Sequence, residues 1–217
     1  MKFYRIGLLV AFIVFSLLQA GCRDTWTVDF TRTEEAELEL DNWGGYTSWN
    51  MVEEPVKGVD VYQYHITTPV GFPGDFTLTL DMFLDVDPLN TATFRIWIGE
   101  DEGEAPANSV LCDFKYTGDS LNDNEELNVY VDDGGSDPTF GPIKPIPGLK
   151  VGNNSFKLDK KGNEVEIRLN GVRILTFELV SFNPIASYVS FLTDEYSNVR
   201  VVFKKISVSY EGDLVPL

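Results

Sequence analysis

Four tryptophans, a single histidine and an excess of carboxylates set the chemistry open to this 217-residue chain. Trp97 falls between Ile96 and Ile98, which share the phase of Phe94, so Trp97 and Arg95 take the opposite side of an alternating run. Tyr130 sits in the same way between Val129 and Val131, and Trp43, Tyr46 and Trp49 cluster ahead of the main run of strands. Outward aromatic rings stack on the C–H faces of sugars, while acids and amides take the hydroxyls. Trp97, Arg95 and Asp81 would make such a platform if their strands are neighbours, with Tyr130, Trp43 and Trp49 as further ligand-contact candidates. The competing reading has Trp97 packed beneath a loop and Trp43 and Trp49 closing one end of the fold, since large aromatics bury well.

The carboxylates gather in loops: Asp85-Val86-Asp87-Pro88-Leu89-Asn90, Asn122-Asp123-Asn124-Glu125-Glu126 and Asp132-Asp133-Gly134-Gly135-Ser136-Asp137. Calcium takes six to eight oxygens in flexible geometry, so Asp85, Asp87 and Asn90 are the candidate ligands of a calcium ion. None of these loops matches the twelve-residue helix-loop-helix pattern, and an acid-rich turn is also readily explained as solvated surface. His65, the only histidine, excludes a multi-histidine zinc site and leaves little for a Ser-His-Asp triad; an ordinary strand position accounts for it. Cys112 shares the phase of Val110, Phe114 and Tyr116 and reads as a small buried hydrophobe.

The N-terminus carries an address. Met1-Lys2-Phe3-Tyr4-Arg5 is basic, Ile6 to Leu18 is uncharged and apolar, and Gln19-Ala20-Gly21-Cys22 follows. A basic start, an apolar run of roughly a dozen residues and a small-residue site describe a secretory signal too short for a permanent span. Cysteine directly after Ala20-Gly21 resembles the bacterial lipobox, in which the thiol receives diacylglycerol and the peptide is cut before it. Gln19 departs from the usual Leu, with Leu18 one place further out. The expected organisation is a lipoprotein signal peptide over 1–21 and one domain over 22–217, tethered through Cys22 to a bacterial cell envelope, at the outer membrane facing periplasm or surface. Acyl chains contribute about 0.8 kcal/mol per buried methylene, so two or three of them anchor stably.

The formal charge of −17 includes Lys2 and Arg5 of that segment; without them 15 basic residues face 34 acidic ones, a net −19. Such a surface repels nucleic acid phosphates and anionic lipid heads, and suits a neutral ligand or a divalent cation. With Cys22 lipidated, Cys112 has no partner for a disulfide, so stability must come from the core.

The elements that must position these residues are strands. Trp26, Val28 and Phe30 alternate with Thr25, Thr27 and Asp29 as a first strand would. Phe76, Leu78, Leu80, Met82 and Leu84 alternate with Thr77, Thr79, Asp81 and Asp85, the period of a half-buried antiparallel strand. Val165, Ile167 and Leu169 lead into Asn170-Gly171, after which Val172, Ile174 and Leu175 resume. Asn-Gly is the favoured two-residue hairpin loop because both positions need positive φ. Further strands are expected at Tyr188 to Leu192 and at Asn198 to Tyr210. In the latter, Val199, Val201 and Phe203 are out of phase with Ile206, Val208 and Tyr210, and a bulge at Lys204-Lys205 reconciles them. That lysine pair reads as a bulge or edge device rather than a binding patch. Thr33 to Leu40 is the one plausible helical stretch. About eleven short strands joined by Gly, Pro, Asn and Asp turns make an all-β, two-sheet antiparallel sandwich.

Four segments carry a resemblance. Asn154-Ser155-Phe156-Lys157-Leu158 followed by Gly162-Asn163-Glu164-Val165-Glu166-Ile167-Arg168-Leu169-Asn170-Gly171-Val172 resembles a signature of concanavalin-like jelly rolls. Phe203-Lys204-Lys205-Ile206-Ser207-Val208 resembles their closing strand, and Gly74-Asp75-Phe76-Thr77-Leu78-Thr79-Leu80 their entry strand; the likeness spans Trp43 to Tyr210. It implies a jelly roll of the kind found in lectins, laminarinase-like and 3-keto-glycoside hydrolase-like domains and laminin-G-like modules, which meet glycans or extracellular partners on the concave sheet. The Glu-x-Asp-x-(x)-Glu strand of the laminarinase-like hydrolases is absent: Glu164 and Glu166 alternate but run into Arg168. The "N-S-G-hydrophobic" strand of the keto-glycoside type is absent too. The leading expectation is therefore a lipoprotein whose jelly roll binds an oligo- or polysaccharide without catalysis. Two alternatives stay open: a glycoside-processing hydrolase with carboxylates from separate strands (Asp81, Glu100 or Asp101), and a structural or assembly lipoprotein.

Overall fold

The computed structural model describes residues 23–32, 40–44, 49–53, 56–61, 65–85, 91–100, 108–117, 125–132, 138–180, 186–193 and 200–217. Cys22 and the apolar segment before it, Tyr46, Asp87, Asn90 and Asp101 lie outside them, as do the helical expectation at 33–39 and most of the acidic loops. Along the described chain run β1 (Asp24–Asp29), β2 (Trp49–Val52), β3 (Gly58–Val61), β4 (Ile66–Thr67), β5 (Val70–Gly71), β6 (Phe76–Asp85), β7 (Thr91–Gly99) and β8 (Ser109–Thr117). There follow β9 (Glu125–Asp132), β10 (Thr139–Ile143), β11 (Gly152–Lys161), β12 (Glu164–Leu169), β13 (Val172–Glu178), β14 (Tyr188–Thr193), β15 (Arg200–Tyr210) and β16 (Val215–Pro216).

These strands form an antiparallel sandwich. The larger sheet has the order β13-β12-β11-β6-β15-β3-β2, with β1 pairing the second half of β15 on the side where β3 pairs the first. The smaller sheet runs β10-β9-β8-β7-β14-β4, and β16-β5 makes a two-stranded ribbon. Sequential hairpins such as β7-β8-β9 are joined by pairs distant in sequence, as β6 lies between β11 and β15, so the fold depends on non-local pairing.

Period-2 alternation drives the layering, because it gives each strand one apolar face. From the larger sheet Leu78, Leu80, Met82, Phe156, Leu158, Ile167 and Ile206 turn inward. Phe94, Ile96, Ile98, Cys112, Phe114 and Val129 do so from the smaller one, all buried. Aromatic rings lock the two layers together. Phe94 stacks on Phe114 at 4.5 Å, Phe114 meets Phe156 of the other sheet edge-on at 6.0 Å, and Phe191 meets Phe203 at 4.3 Å. Cys112 sits inside this core, where burial pushes its thiol pKa far up and keeps it unreactive.

Local expectations meet the structure closely at two places. Asn170 and Gly171 adopt φ of 52° and 80° and join Leu169 to Val172. The register of β15 against β6 shifts between Phe203 and Lys205, so Lys204 is the extra residue of a bulge. One expectation changes: Val172 is 44 % exposed and Ile174 and Leu175 are only half-buried. Opposite Ile167 and Arg168 the register shifts and leaves Ile174 as an extra residue of β13, an edge strand, which breaks the inward phase there.

Candidate functional site

The outer faces of the two sheets differ, and the difference relocates the site. On the smaller sheet, cross-strand register lines up Ser190, Trp97, Leu111, Tyr130 and Thr139 in one row. Trp97 does point away from the inter-sheet core, yet it is only 2 % exposed. The His65 ring packs edge-on against it at 5.1 Å, and beside it Thr67 and Ser190, both buried, share a hydrogen bond of 2.7 Å. The outward platform expected at Trp97 is therefore corrected: its ring is covered and offers no stacking surface. Arg95 is committed as well, donating from Nε to Asp113 Oδ1 at 3.0 Å. Tyr130, 41 % exposed, is the most open aromatic of the expected set among the described residues.

Trp43 is also buried, in a cluster with Trp26 at 5.9 Å, Phe30 at 5.7 Å and Phe191 at 5.9 Å, which corrects its reading as a ligand contact. Trp49 is half-buried at the start of β2 and packs on the core. The structure also separates Asp81 from Trp97 and Arg95. Asp81 lies on β6 of the larger sheet and the other two on β7 of the smaller, so the three share no face. The same topology parts Asp81 from Glu100, which accepts a hydrogen bond from Asn108 at 2.6 Å, and so removes that pair as a catalytic couple. The side chain of Asp85, with Asp87 and Asn90, lies outside the described residues, and among these no cluster of three or more His, Cys, Asp or Glu could hold a metal.

Asp81 instead opens onto a cleft of about 480 Å³ on the outer face of the larger sheet. Register sets its floor: Asp29 on β1 faces Lys205 on β15, Lys205 faces Asp81 on β6, and Asp81 faces Ser155 on β11. Its wall is the loop after Ile146, clamped by two asparagines. Asn154, only 3 % exposed, donates to the carbonyls of Lys150 and Gly152 at 2.7 and 3.0 Å. Asn170 donates to Asn154 Oδ1 at 2.9 Å and to the Gly148 carbonyl at 2.7 Å, and accepts the Ser155 amide at 2.9 Å. Gly148 stands so close to the hairpin that a Cβ there would lie 2.7 Å from the Leu169 carbonyl. The two asparagines of the jelly-roll phrase thus hold the wall and spend their amides doing so.

What remains presented to the cleft is different in kind. The Asp81 carboxylate and Ser155 hydroxyl have no side-chain partner among the described residues. Asn153 accepts from Lys204 Nζ at 3.1 Å and keeps its amide hydrogens. Asp29 is occupied: Thr31 donates to its Oδ1 from the hydroxyl at 2.6 Å and from the amide at 3.0 Å. The hydroxyl hydrogen bond holds this carboxyl below its ordinary range, the wrong direction for a general acid. Elsewhere on the face polar groups satisfy one another, as in Thr27 with Ser207 at 2.9 Å, Lys157 with Asp159 at 2.7 Å and Arg168 with Glu166 at 2.5 Å. Nothing in the spacing of Lys204-Lys205 pointed to this cleft, because β15 is an interior strand and its neighbours come from distant sequence.

Comparison with known proteins fits this architecture. The carbohydrate recognition domain of Emp47p is similar over 86 % of this chain and 96 % of its own, with a TM-score of 0.59 and 10 % identity. The fold is that of the concanavalin-like jelly rolls. A legume lectin-like domain from Entamoeba histolytica matches 85 % of this chain and 97 % of its own at a TM-score of 0.59 and 14 % identity. The Crh5 transglycosylase, in complex with NAG, matches 87 % of this chain and 84 % of its own at 0.50 and 11 %. No protein-family model and no curated protein sequence matches the chain. The jelly roll is thus shared with lectin-like domains and with a carbohydrate-active enzyme, and residues rather than fold must decide between those functions.

Proposed function

We propose that this chain is a lipid-anchored, non-catalytic glycan-binding protein whose ligand lies in the cleft on the larger sheet. One observation carries the reading: hydroxyl, amide, carboxylate and ammonium groups face one cleft of about 480 Å³, among them Asp81 and Ser155, which have no side-chain partner among the described residues. That is a set of donors and acceptors suited to sugar hydroxyls, and the pocket is of ordinary ligand size. Binding is favoured over hydrolysis because Asp29, the cleft's other carboxylate, is tied to Thr31 and kept ionised, whereas glycoside cleavage needs one carboxyl held protonated. The short apolar segment ending at Ala20-Gly21-Cys22 supports an anchor at the bacterial cell envelope. Tyr130 is not needed for this site.

The test uses the full chain, made in a bacterial host and extracted in detergent, on an array of oligo- and polysaccharides. The expected result is binding to at least one glycan, with no release of reducing ends on prolonged incubation and a diacylglycerol adduct on Cys22 by mass spectrometry. Cleavage of the bound glycan would favour a hydrolase, and an inert protein would favour a structural role.

A further inference from the structure

Accepting the cleft as the glycan site, we infer that the saccharide it takes is anionic, with its carboxylate or sulfate held by Lys204 and Lys205. The bulge in β15 is the first ground. Phe203 and Ile206 both turn into the core, so the two residues between them must both be accommodated on the outer side, where a regular strand would place one. The bulge is held in place by the Phe30 amide, which donates to the Lys204 carbonyl at 2.9 Å. Two ammonium groups are thereby delivered side by side to the floor of one cleft.

The second ground is what surrounds them. The chain carries a formal charge of −17, and several other cations on or near this face are paired: Lys157 with Asp159, Arg168 with Glu166, Arg32 with Asp29. Lys204, Lys205 and Lys150 also line the cleft, and none has a carboxylate within 4.0 Å among the described residues. Lys204 reaches over β6 to the neutral carboxamide of Asn153, which fixes its ammonium group above the cleft without neutralising it. Asp29 is engaged by Thr31 and Arg32 and also feels the charge of Lys205, its cross-strand neighbour, which leaves Asp81 to receive a hydroxyl. Three ammoniums against two carboxylates, one of them already paired with Arg32, leave the cleft net positive in an otherwise acidic protein and select a sugar bearing negative charge. Ser155, Asn153 and Asp81 then read the neutral hydroxyls beside it.

The full chain in detergent is titrated calorimetrically with trigalacturonate, a sulfated chondroitin disaccharide and neutral maltotriose, at roughly 50 and 500 mM salt. The expected result is that one or both anionic probes bind at least about tenfold more tightly than maltotriose and weaken at high salt. Lys205→Gln and Lys204→Gln should each cost about tenfold, the size of one charge-assisted hydrogen bond, and Lys205→Arg should restore binding. Lys144→Gln, just past β10 of the smaller sheet, should change nothing. The carboxylate and sulfate arms separate a uronic acid from a sulfated sugar. Maltotriose binding as tightly as the anions, with both glutamine variants silent, would overturn the inference while leaving glycan binding intact. If no saccharide binds at any salt concentration, the inference and the glycan reading fall together.

Discussion

The two outer faces of the sandwich begin from the same rule and end differently. In both sheets period-2 alternation sends every second side chain away from the core. On the larger sheet those side chains are mostly polar or charged, and the row through Lys205, Asp81 and Ser155 stays open as a cleft. On the smaller sheet the same phase delivers Trp97, which His65 covers, and Arg95, which Asp113 neutralises. Alternation assigns a side chain to a face, but another layer can still bury that face. The comparison teaches that outward is not the same as exposed.

Trp97→Ala is the sharpest way to break this contrast. A buried indole removed from a packed face should cost about 3–5 kcal/mol in chemical denaturation, while the protein that remains folded keeps its glycan affinity. A loss of affinity without a loss of stability would make Trp97 a ligand contact after all. Asn154→Ala comes next. It removes the buried clamp between the loop after Ile146 and the Asn170 hairpin, and should cost about 2–3 kcal/mol while widening the cleft and weakening binding.

A smaller effect belongs to Glu125, which faces inward at the start of β9, is 2 % exposed, and leaves Oε2 without a hydrogen-bond partner among the described residues. Burial raises its pKa, so the folded state favours the protonated acid. Its contribution is therefore present below the unfolded-state pKa and is lost as pH rises through the folded one. Glu125→Gln should match the wild type near pH 3 and melt ~2–4 °C higher at pH 7, as about 1 kcal/mol does in a domain of this size. Equal melting temperatures at both pH values would show that the carboxylate costs nothing where it lies.

Much of this was legible in the sequence, for reasons that are local. Alternation over Phe76 to Asp85 is the strand β6, Asn170-Gly171 is a two-residue hairpin because both residues need positive φ, and the phase change across Lys204-Lys205 is a bulge. The jelly-roll phrase containing Asn154 and Asn170 marks the clamp that builds the cleft wall. What could not be read was long-range. Whether Asp81 and Trp97 share a sheet depends on which strands pair, and β6 takes partners about 75 and 125 residues onward in the chain, spacings that follow from non-local contacts. For the same reason Lys204-Lys205 looked equally suited to an edge, and the cover that His65 lays over Trp97 leaves no trace in periodicity.

The measurement that goes straight to the cleft is a calorimetric titration of one bound glycan against wild type, Asp81→Ala on the larger sheet, and Arg95→Ala and Tyr130→Ala on the smaller. With the site in the cleft, Asp81→Ala weakens binding at least about tenfold, and the other two stay within roughly twofold of wild type. If Tyr130→Ala or Arg95→Ala abolishes binding while Asp81→Ala leaves it intact, the ligand lies on the smaller sheet and the cleft is not its site.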